Sequence, residues 1–272
     1  MTRRGRAARP RTKEQLPPPL PPETRTVGQL VAETVRFYRH RFFRVVPLGL
    51  SVAVLTQVSV GYGRGERVHT LDAPGLDSSD RILLVRALNA REIVDRPDPL
   101  LGSGILVTML FGGLLLTLSY VVACTLVSGQ RLDMNRATTA YTAGVLAFLP
   151  VPILISFFVL PAVAWLAFVG LVVPVAVIEG KRLGDSFARA TRLARADYVH
   201  ALGGLATLII AYFLTRLMLF FLLRNAGEAT ERAAAFLADL VLSPILFVGA
   251  AFLYYDQAAR AAARAKKPVS GT

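Results

Sequence analysis

The chain has 272 residues, of which 54% are hydrophobic and only 18% are charged, and its formal net charge is +13. The apolar residues are concentrated in long blocks, whereas a soluble domain would disperse them. The basic residues flank these blocks, as they do in the cytoplasmic segments of membrane proteins, so we expect no nucleic acid partner. The composition predicts an integral membrane protein.

The first 26 residues have the composition of a disordered tail that is basic and rich in proline. The stretch Leu16–Pro22 favours polyproline II, which suits a solvated spacer and could also dock into an aromatic groove. The first apolar block begins only near Val45, too far from the N-terminal arginines for a signal peptide. We therefore expect no cleaved signal.

Residues 27–44 have the pattern of a helix that lies at a membrane surface. Apolar residues such as Leu30 and Phe42 fall on one half of the helical wheel, and Arg36 and Arg39 fall on the other. We expect this helix to lead into the first membrane span, with its basic face towards anionic headgroups.

Uncharged stretches long enough to cross a membrane recur along the rest of the chain. A hydrocarbon core about 30 Å thick needs about 20 helical residues. Six spans are predicted, at about 45–62, 100–128, 138–158, 162–178, 200–223 and 233–255. The first is the most polar, and Pro161 is the predicted breaker between the third and fourth. The predicted fold is therefore all-α: a polytopic helical membrane bundle over residues 27–258, with amphipathic helices at the inner surface.

The flanking charges predict the orientation of these spans. Residues 1–44 hold 11 basic and 3 acidic side chains, whereas residues 63–100 hold 6 and 7. Because basic residues are retained on the cytoplasmic side, the N-terminus is predicted to lie inside and residues 63–99 to form an outer loop. An even number of spans returns the chain to the inside, where residues 259–272 form a basic tail.

A second amphipathic helix is predicted between the fourth and fifth spans. Arg189, Arg192 and Arg195 share one of its faces at helical spacing. Anchoring to anionic lipid headgroups explains this face, at about 1 kcal/mol per basic residue near the surface. A docking site for a membrane protein partner or a specific lipid is the alternative, although helices of this kind serve as anchors far more often.

Arg216 and Asp239 are the only ionisable residues placed well inside the predicted spans. Counted from the outer helix ends, they lie at depths of roughly 12 Å and 9 Å at 1.5 Å per residue, so they could meet. We expect a structural ion pair between the fifth and sixth spans. A transport or proton-relay role, and an Arg216 that reaches the outer headgroups by itself, are the alternatives.

No catalytic or metal-binding motif is evident in the sequence. His40, His69 and His200 are isolated, and Cys124 is the only cysteine. There is no Walker motif and no nucleophile elbow. We therefore expect no metal, no cofactor and no enzymatic activity.

Three stretches are similar to the bacterial glycerophosphoryl diester phosphodiesterase membrane-domain family. They are residues 26–40, residues 173–195 and residues 253–260, the last with the sequence LYYDQAAR. The resemblance implies a six-helix membrane fold in the bacterial plasma membrane. It does not imply the phosphodiesterase reaction, because that reaction belongs to a separate soluble barrel for which this chain has no room.

Two hypotheses for function follow. The first is a non-enzymatic scaffold or accessory subunit whose amphipathic helices are available to a membrane protein partner or to lipid. The second is a permease or a lipid-handling protein, in which prolines interrupt the third and fourth spans around a substrate path; these are Pro150, Pro152, Pro161 and Pro174.

Overall fold

The computed structural model describes residues 25–62, 99–157, 159–223 and 228–266, and every regular element in them is helical. In chain order these elements are α1 (Val27–His40), α2 (Phe42–Val45), a 3-10 helix (Val46–Gly49), α3 (Leu50–Tyr62), α4 (Pro99–Ser128), α5 (Met134–Phe148), α6 (Val151–Phe157), α7 (Val159–Val169), α8 (Val172–Pro174), a π-helix (Val175–Glu179), α9 (Leu183–Ala196), α10 (Tyr198–Leu223), α11 (Glu228–Leu242) and α12 (Pro244–Lys266).

Five stretches of these helices are long and apolar enough to cross a membrane, so the predicted all-α membrane bundle is confirmed. They are Leu110–Ser128, Met134–Leu154, Val159–Glu179, Tyr198–Leu223 and Ala233–Ala265. The first predicted span, at about 45–62, overlaps a shorter apolar helical stretch, Phe42–Thr56. The count of six spans and the orientation stay predictions. The predicted outer loop, and the predicted tail before Arg25, lie outside the described residues.

The core of the bundle is formed around the middle of the chain. Cys124, Val172 and Val173 are fully buried, and α4 packs against α3, α5 and α12. Trp165 donates its indole N–H to the carbonyl of Ala147 at 2.8 Å, which joins α7 to α5. Buried aromatic N–H groups need such a partner, and this one is supplied where α5 approaches its end.

Burial differs strongly between the spans. Within Val159–Glu179, an apolar stretch of 18 residues has 61% of its residues buried inside the bundle, compared with 12% for such a stretch in α10. Large apolar side chains such as Leu214, Met218 and Leu222 are exposed along α10. Because a membrane solvates such side chains, α10 lies at the periphery of the bundle.

Residues 233–255, predicted as a single helix, belong to two helices that meet at Ser243. Pro244 has no N–H to donate to the carbonyl of Leu240, so the regular ladder is interrupted there. That carbonyl lies against Gly49, where an added Cβ would be only 2.0 Å from the oxygen. Gly49 therefore allows the 3-10 helix to approach the bend closely.

Tyr38 reaches the same bend from α1. Its hydroxyl donates to the carbonyl of Val241 at 2.6 Å, and burial raises the pKa of this hydroxyl above its ordinary value. The hydroxyl thus stays protonated and remains a donor. The bend between α11 and α12 is braced by α1 as well as by the 3-10 helix.

Two other predicted boundaries also differ from the structure. Pro161, the predicted breaker between the third and fourth spans, lies within the helix α7. At the other end of the chain, α12 continues to Lys266, past the predicted end at residue 255. Its last turns are rich in alanine, the strongest helix former, which explains the extension.

The amphipathic helices α1 and α9 pack at one end of the bundle, together with the beginning of α10 and the last turns of α12. We call this the basic end. α1 begins with a capping box between Thr26 and Gln29, and it buries Leu30. α9 buries a face that includes Ala190 and Leu193. Both amphipathic helices are thus fixed to the bundle by one apolar face.

Candidate functional site

An ionic cluster occupies the interior of the basic end. Its members, here named the basic-end cluster, are Arg25, Glu33, Asp197, His200, Asp256, Gln257 and Arg260. Asp256 is fully buried at its centre, with Arg25 Nη1 2.9 Å from Oδ1 and His200 Nε2 3.6 Å from Oδ2. Arg25 also places its Nη2 3.2 Å from Glu33 Oε2. One arginine therefore joins α1 to α12.

Asp197 organises the other side of the basic-end cluster, at the junction of α9 and α10. Its Oδ1 accepts from the backbone N–H of His200 at 3.2 Å, in the first turn of α10. Its Oδ2 lies 2.8 Å from Arg260 Nη1, and its carbonyl accepts from Gln257 Nε2 at 3.0 Å. Arg260 Nη2 in turn donates to the carbonyl of Arg25 at 2.6 Å. The N-terminal segment, α10 and α12 are thereby linked in one network.

The charged groups of this network pair with one another and thereby hold helices together. Asp256 and Arg260 are four residues apart and so share one side of α12. Two arginines face three carboxylates in the network, a formal balance of 2 − 3 = −1 when His200 is neutral. Buried charges are costly unless they are paired, and most of these pairs have hydrogen-bonding distances. The network fixes the relative positions of three helices.

A smaller ionic group surrounds Glu179, at the end of the π-helix. Arg189 Nε lies 3.1 Å and the Tyr254 hydroxyl 2.9 Å from Oε1, and Lys181 Nζ lies 3.2 Å from Oε2. Arg189 was predicted on the outward basic face of α9. Its side chain is 32% exposed, because the Glu179 carboxylate draws it towards the bundle.

The other arginines of the two predicted basic faces are exposed. Arg36 and Arg39 on α1 and Arg192 and Arg195 on α9 all lie on the surface of the basic end. The guanidinium of Arg195 lies 5.8 Å from the centre of the Phe168 ring, a weak cation–π contact. These four side chains have no carboxylate partner among the described residues, so their charge is available at the surface.

A separate polar group lies within the membrane-spanning part, between α10 and α11. Arg216 Nη1 is 3.3 Å from Asp239 Oδ1, which places the two predicted partners at ion-pair distance. The Tyr212 hydroxyl donates to the same oxygen at 2.5 Å, and Arg216 Nη1 is 3.4 Å from that hydroxyl. Asp239 is fully buried, whereas the side chain of Arg216 is 31% exposed. We call these three residues the intramembrane triad.

Sequence reasoning missed two parts of these sites. Arg25 falls within the predicted disordered tail, but only 5% of it is exposed; its one sequence signal is its position directly before the capping residue Thr26. Asp256 and Gln257 lie just beyond the predicted end of the sixth span, and both are fully buried. Two adjacent polar residues directly after an apolar block are the signal that could have identified them.

Within the described parts of the chain, no three His, Cys, Asp or Glu side chains are close enough together to hold a metal ion. The polar groups that the structure brings together are ion pairs and hydrogen bonds between helices. Their arrangement suits fixing helices in place and presenting basic side chains.

No protein family, curated protein or solved structure matches the chain.

Proposed function

We propose that the chain is a non-enzymatic scaffold or accessory subunit of the bacterial plasma membrane, with its N-terminus inside and its basic end docked onto a membrane protein partner. In this proposal the similarity to the phosphodiesterase membrane-domain family extends to fold and location and not to the reaction. The partner surface has an acidic character, since the docking face is basic.

One observation carries the proposal: four carboxylates at the basic end are paired with basic side chains of the bundle, while Arg36, Arg39, Arg192 and Arg195 are left outside. Glu33, Glu179, Asp197 and Asp256 all lie within ion-pair distance of basic side chains. Charge compensation inside the bundle leaves the surface arginines unopposed. A rigid basic surface without carboxylate partners is suited to docking. Little conformational entropy is lost on binding, because the side chains and backbone are already ordered.

The rigid mounting of both basic helices supports docking over loose anchoring to lipid. α1 is held by Arg25 and by Tyr38, and α9 is held by the contact between Arg189 and Glu179. Anchoring to headgroups requires only charge near the membrane, since it lacks a defined geometry. Fixed helices add a defined spacing between the arginines of α1 and those of α9.

The experiment is purification of the tagged chain from its native membrane in nanodiscs, followed by proteomics and lipid mass spectrometry on the same sample. We expect a stoichiometric protein partner that is lost when Arg36, Arg39, Arg192 and Arg195 are changed to glutamine. Arg264→Gln is the control, because Arg264 is exposed on the last turns of α12. A variant that keeps its partner, or one enriched lipid without any partner, would contradict the docking function.

The permease alternative has one observation in its favour, the intramembrane triad. A fully buried carboxylate beside an arginine and a tyrosine is the kind of group that proton-coupled carriers use. Reconstitution of the purified chain in vesicles tests this alternative. Uptake of a substrate or of protons that disappears in Asp239→Asn and persists in Arg264→Gln would favour the permease; the absence of uptake would leave the triad with a structural role.

A further inference from the structure

A turn at the basic end carries a compact group of positive charge that the docking surface does not use and of which only Lys181 belongs to an ionic group. Gly180 ends the π-helix in the left-handed conformation, with φ of 63°. Lys181 and Arg182 follow it directly, and α9 begins at Leu183. Arg136 approaches the same turn from the first turn of α5. Three basic residues therefore lie in or beside one short turn.

Gly180 is required for this arrangement in two ways. Its positive φ is a conformation that L side chains rarely adopt. An added Cβ would also lie 2.8 Å from Arg136 Nε and 3.0 Å from Arg136 Cζ, too close for van der Waals contact. The guanidinium of Arg136 thus packs directly over the glycine, which leaves room for it at the turn.

The charges at this turn are mostly uncompensated. Arg136 and Arg182 are exposed, and neither has an ion-pair partner in the described ranges. Lys181 has Glu179 as its partner, 3.2 Å away, and Glu179 is shared with Arg189. Around the turn, Arg136, Lys181, Arg182 and Arg189 face Glu179 and Asp185, a balance of 4 − 2 = +2.

The depth of the turn indicates what this charge meets. The apolar span Val159–Glu179 ends one residue before Gly180. The first residues beyond a hydrophobic span lie at the level of the lipid headgroups. Guanidinium groups bind phosphate oxygens in pairs of parallel hydrogen bonds, and a lysine adds a point charge. The turn has the charge and the depth of a headgroup phosphate.

We propose that Arg136, Lys181 and Arg182 form a binding site for the phosphate of an anionic phospholipid in the leaflet at the basic end. This site goes beyond the proposed function, since it needs no protein partner and uses none of the four arginines assigned to docking. Arg136 and Arg182 supply the guanidinium contacts, and Gly180 leaves the space that the Arg136 guanidinium occupies.

The test is thermal unfolding of the full chain in detergent, followed by the fluorescence of its single tryptophan, Trp165. A short-chain phosphatidylglycerol is added, with short-chain phosphatidylcholine and inorganic phosphate as comparison probes. We expect phosphatidylglycerol alone to raise the Tm of the wild type, by about 3 °C at saturation. Phosphatidylcholine has the same phosphate group as phosphatidylglycerol but carries no net negative charge.

Two double variants with the same loss of charge separate a specific site from a general effect of surface charge. Arg136→Gln/Arg182→Gln is expected to lose the rise in Tm, whereas Arg36→Gln/Arg39→Gln is expected to retain it. The assignment would be overturned if both double variants lost the rise in Tm equally, or if both retained it. It would also be overturned if inorganic phosphate or phosphatidylcholine raised the Tm of the wild type equally. If the first double variant unfolds, the single variant Arg182→Gln is used instead, and its bound lipid is counted by native mass spectrometry. Loss of bound phosphatidylglycerol would support the site, and unchanged binding would overturn it.

Discussion

The bend at Ser243 separates two regions that hold buried carboxylates in different ways. On α12, Asp256 lies in the basic-end cluster, with Arg25 and His200 close to it and further ion pairs around them. On α11, Asp239 has only Arg216 and Tyr212 as its polar side-chain partners in the described structure. We expect the number of partners to determine how much stability is lost when one partner is removed from each region.

The surroundings of the two carboxylates differ as well. The basic-end cluster holds several charged and polar side chains besides Asp256, so a group that loses its partner there has other polar groups close to it. The intramembrane triad lies between α10 and α11, which also line a mostly apolar cavity through side chains such as Leu219 and Leu237. A charge left without a partner in hydrocarbon is costly, because neither water nor another side chain can replace the lost partner.

The largest effect is expected in the intramembrane triad. Arg216→Leu leaves the Asp239 carboxylate buried without a cationic partner, and we expect a loss of about 3–5 kcal/mol in the free energy of unfolding. Asp239→Leu is expected to be similarly harmful. The double variant Arg216→Leu/Asp239→Leu should recover yield and Tm, since apolar pairs replace buried ion pairs well. Additive losses in the double variant would show that the two side chains act independently.

A smaller effect is expected in the basic-end cluster. Asp256→Asn keeps the shape of the side chain but removes its charge, and Arg25 retains Glu33 as a partner. We expect a loss of about 2 kcal/mol, measured as a fall in Tm by tryptophan fluorescence. Arg264→Gln, exposed on the same helix, should change stability by less than about 0.5 kcal/mol. If Asp256→Asn were as harmful as Arg216→Leu, the number of partners would not be what distinguishes the two regions.

The bend itself tests whether the two regions are positioned together. Gly49→Ala places a Cβ where the Leu240 carbonyl lies, so we expect a loss of about 1–3 kcal/mol through displaced backbone. Gly28→Ala is the matched control, because a Cβ at Gly28 meets nothing within 4 Å. In an open helical position this change should stabilise the chain by about 0.5–1 kcal/mol. Similar effects of both changes would mean that the close approach at the bend is unimportant.

The smallest effect on stability is expected for the exposed arginines of α1. Arg36→Gln/Arg39→Gln should alter the free energy of unfolding by less than about 0.5 kcal/mol, because neither side chain contacts a carboxylate in the described part of the chain. Its effect should appear instead in binding, as loss of the co-purified partner. A marked fall in Tm would place these arginines among the groups that hold the bundle together.

The membrane-spanning helices were predictable because hydropathy can be summed over neighbouring residues of the sequence. Long uncharged stretches such as Val159–Glu179 and Tyr198–Leu223 appear directly in the sequence. The proximity of Arg216 and Asp239 followed from counting depth along two neighbouring helices, since the rise per residue is constant. These inferences need no knowledge of how distant segments pack.

The rest depended on packing between distant segments. The break at Ser243 lies inside an uncharged stretch, so hydropathy runs across it without a change; Pro244 was a signal, but prolines are tolerated within membrane helices. The burial of Arg25 depends on Asp256, 231 residues away in the chain. Long-range pairs of this kind leave no periodic pattern in a single sequence, and the basic-end cluster therefore went unrecognised.

The burial of Cys124 has a practical consequence. The chain's single thiol is fully enclosed in the core, so a membrane-impermeant maleimide should leave the intact protein unmodified. A cysteine introduced at an exposed position of the basic end, such as Met134, then becomes the sole reactive thiol without further mutation. Labelling it from one side of a sealed vesicle would assign the basic end to a compartment, without a background signal from Cys124.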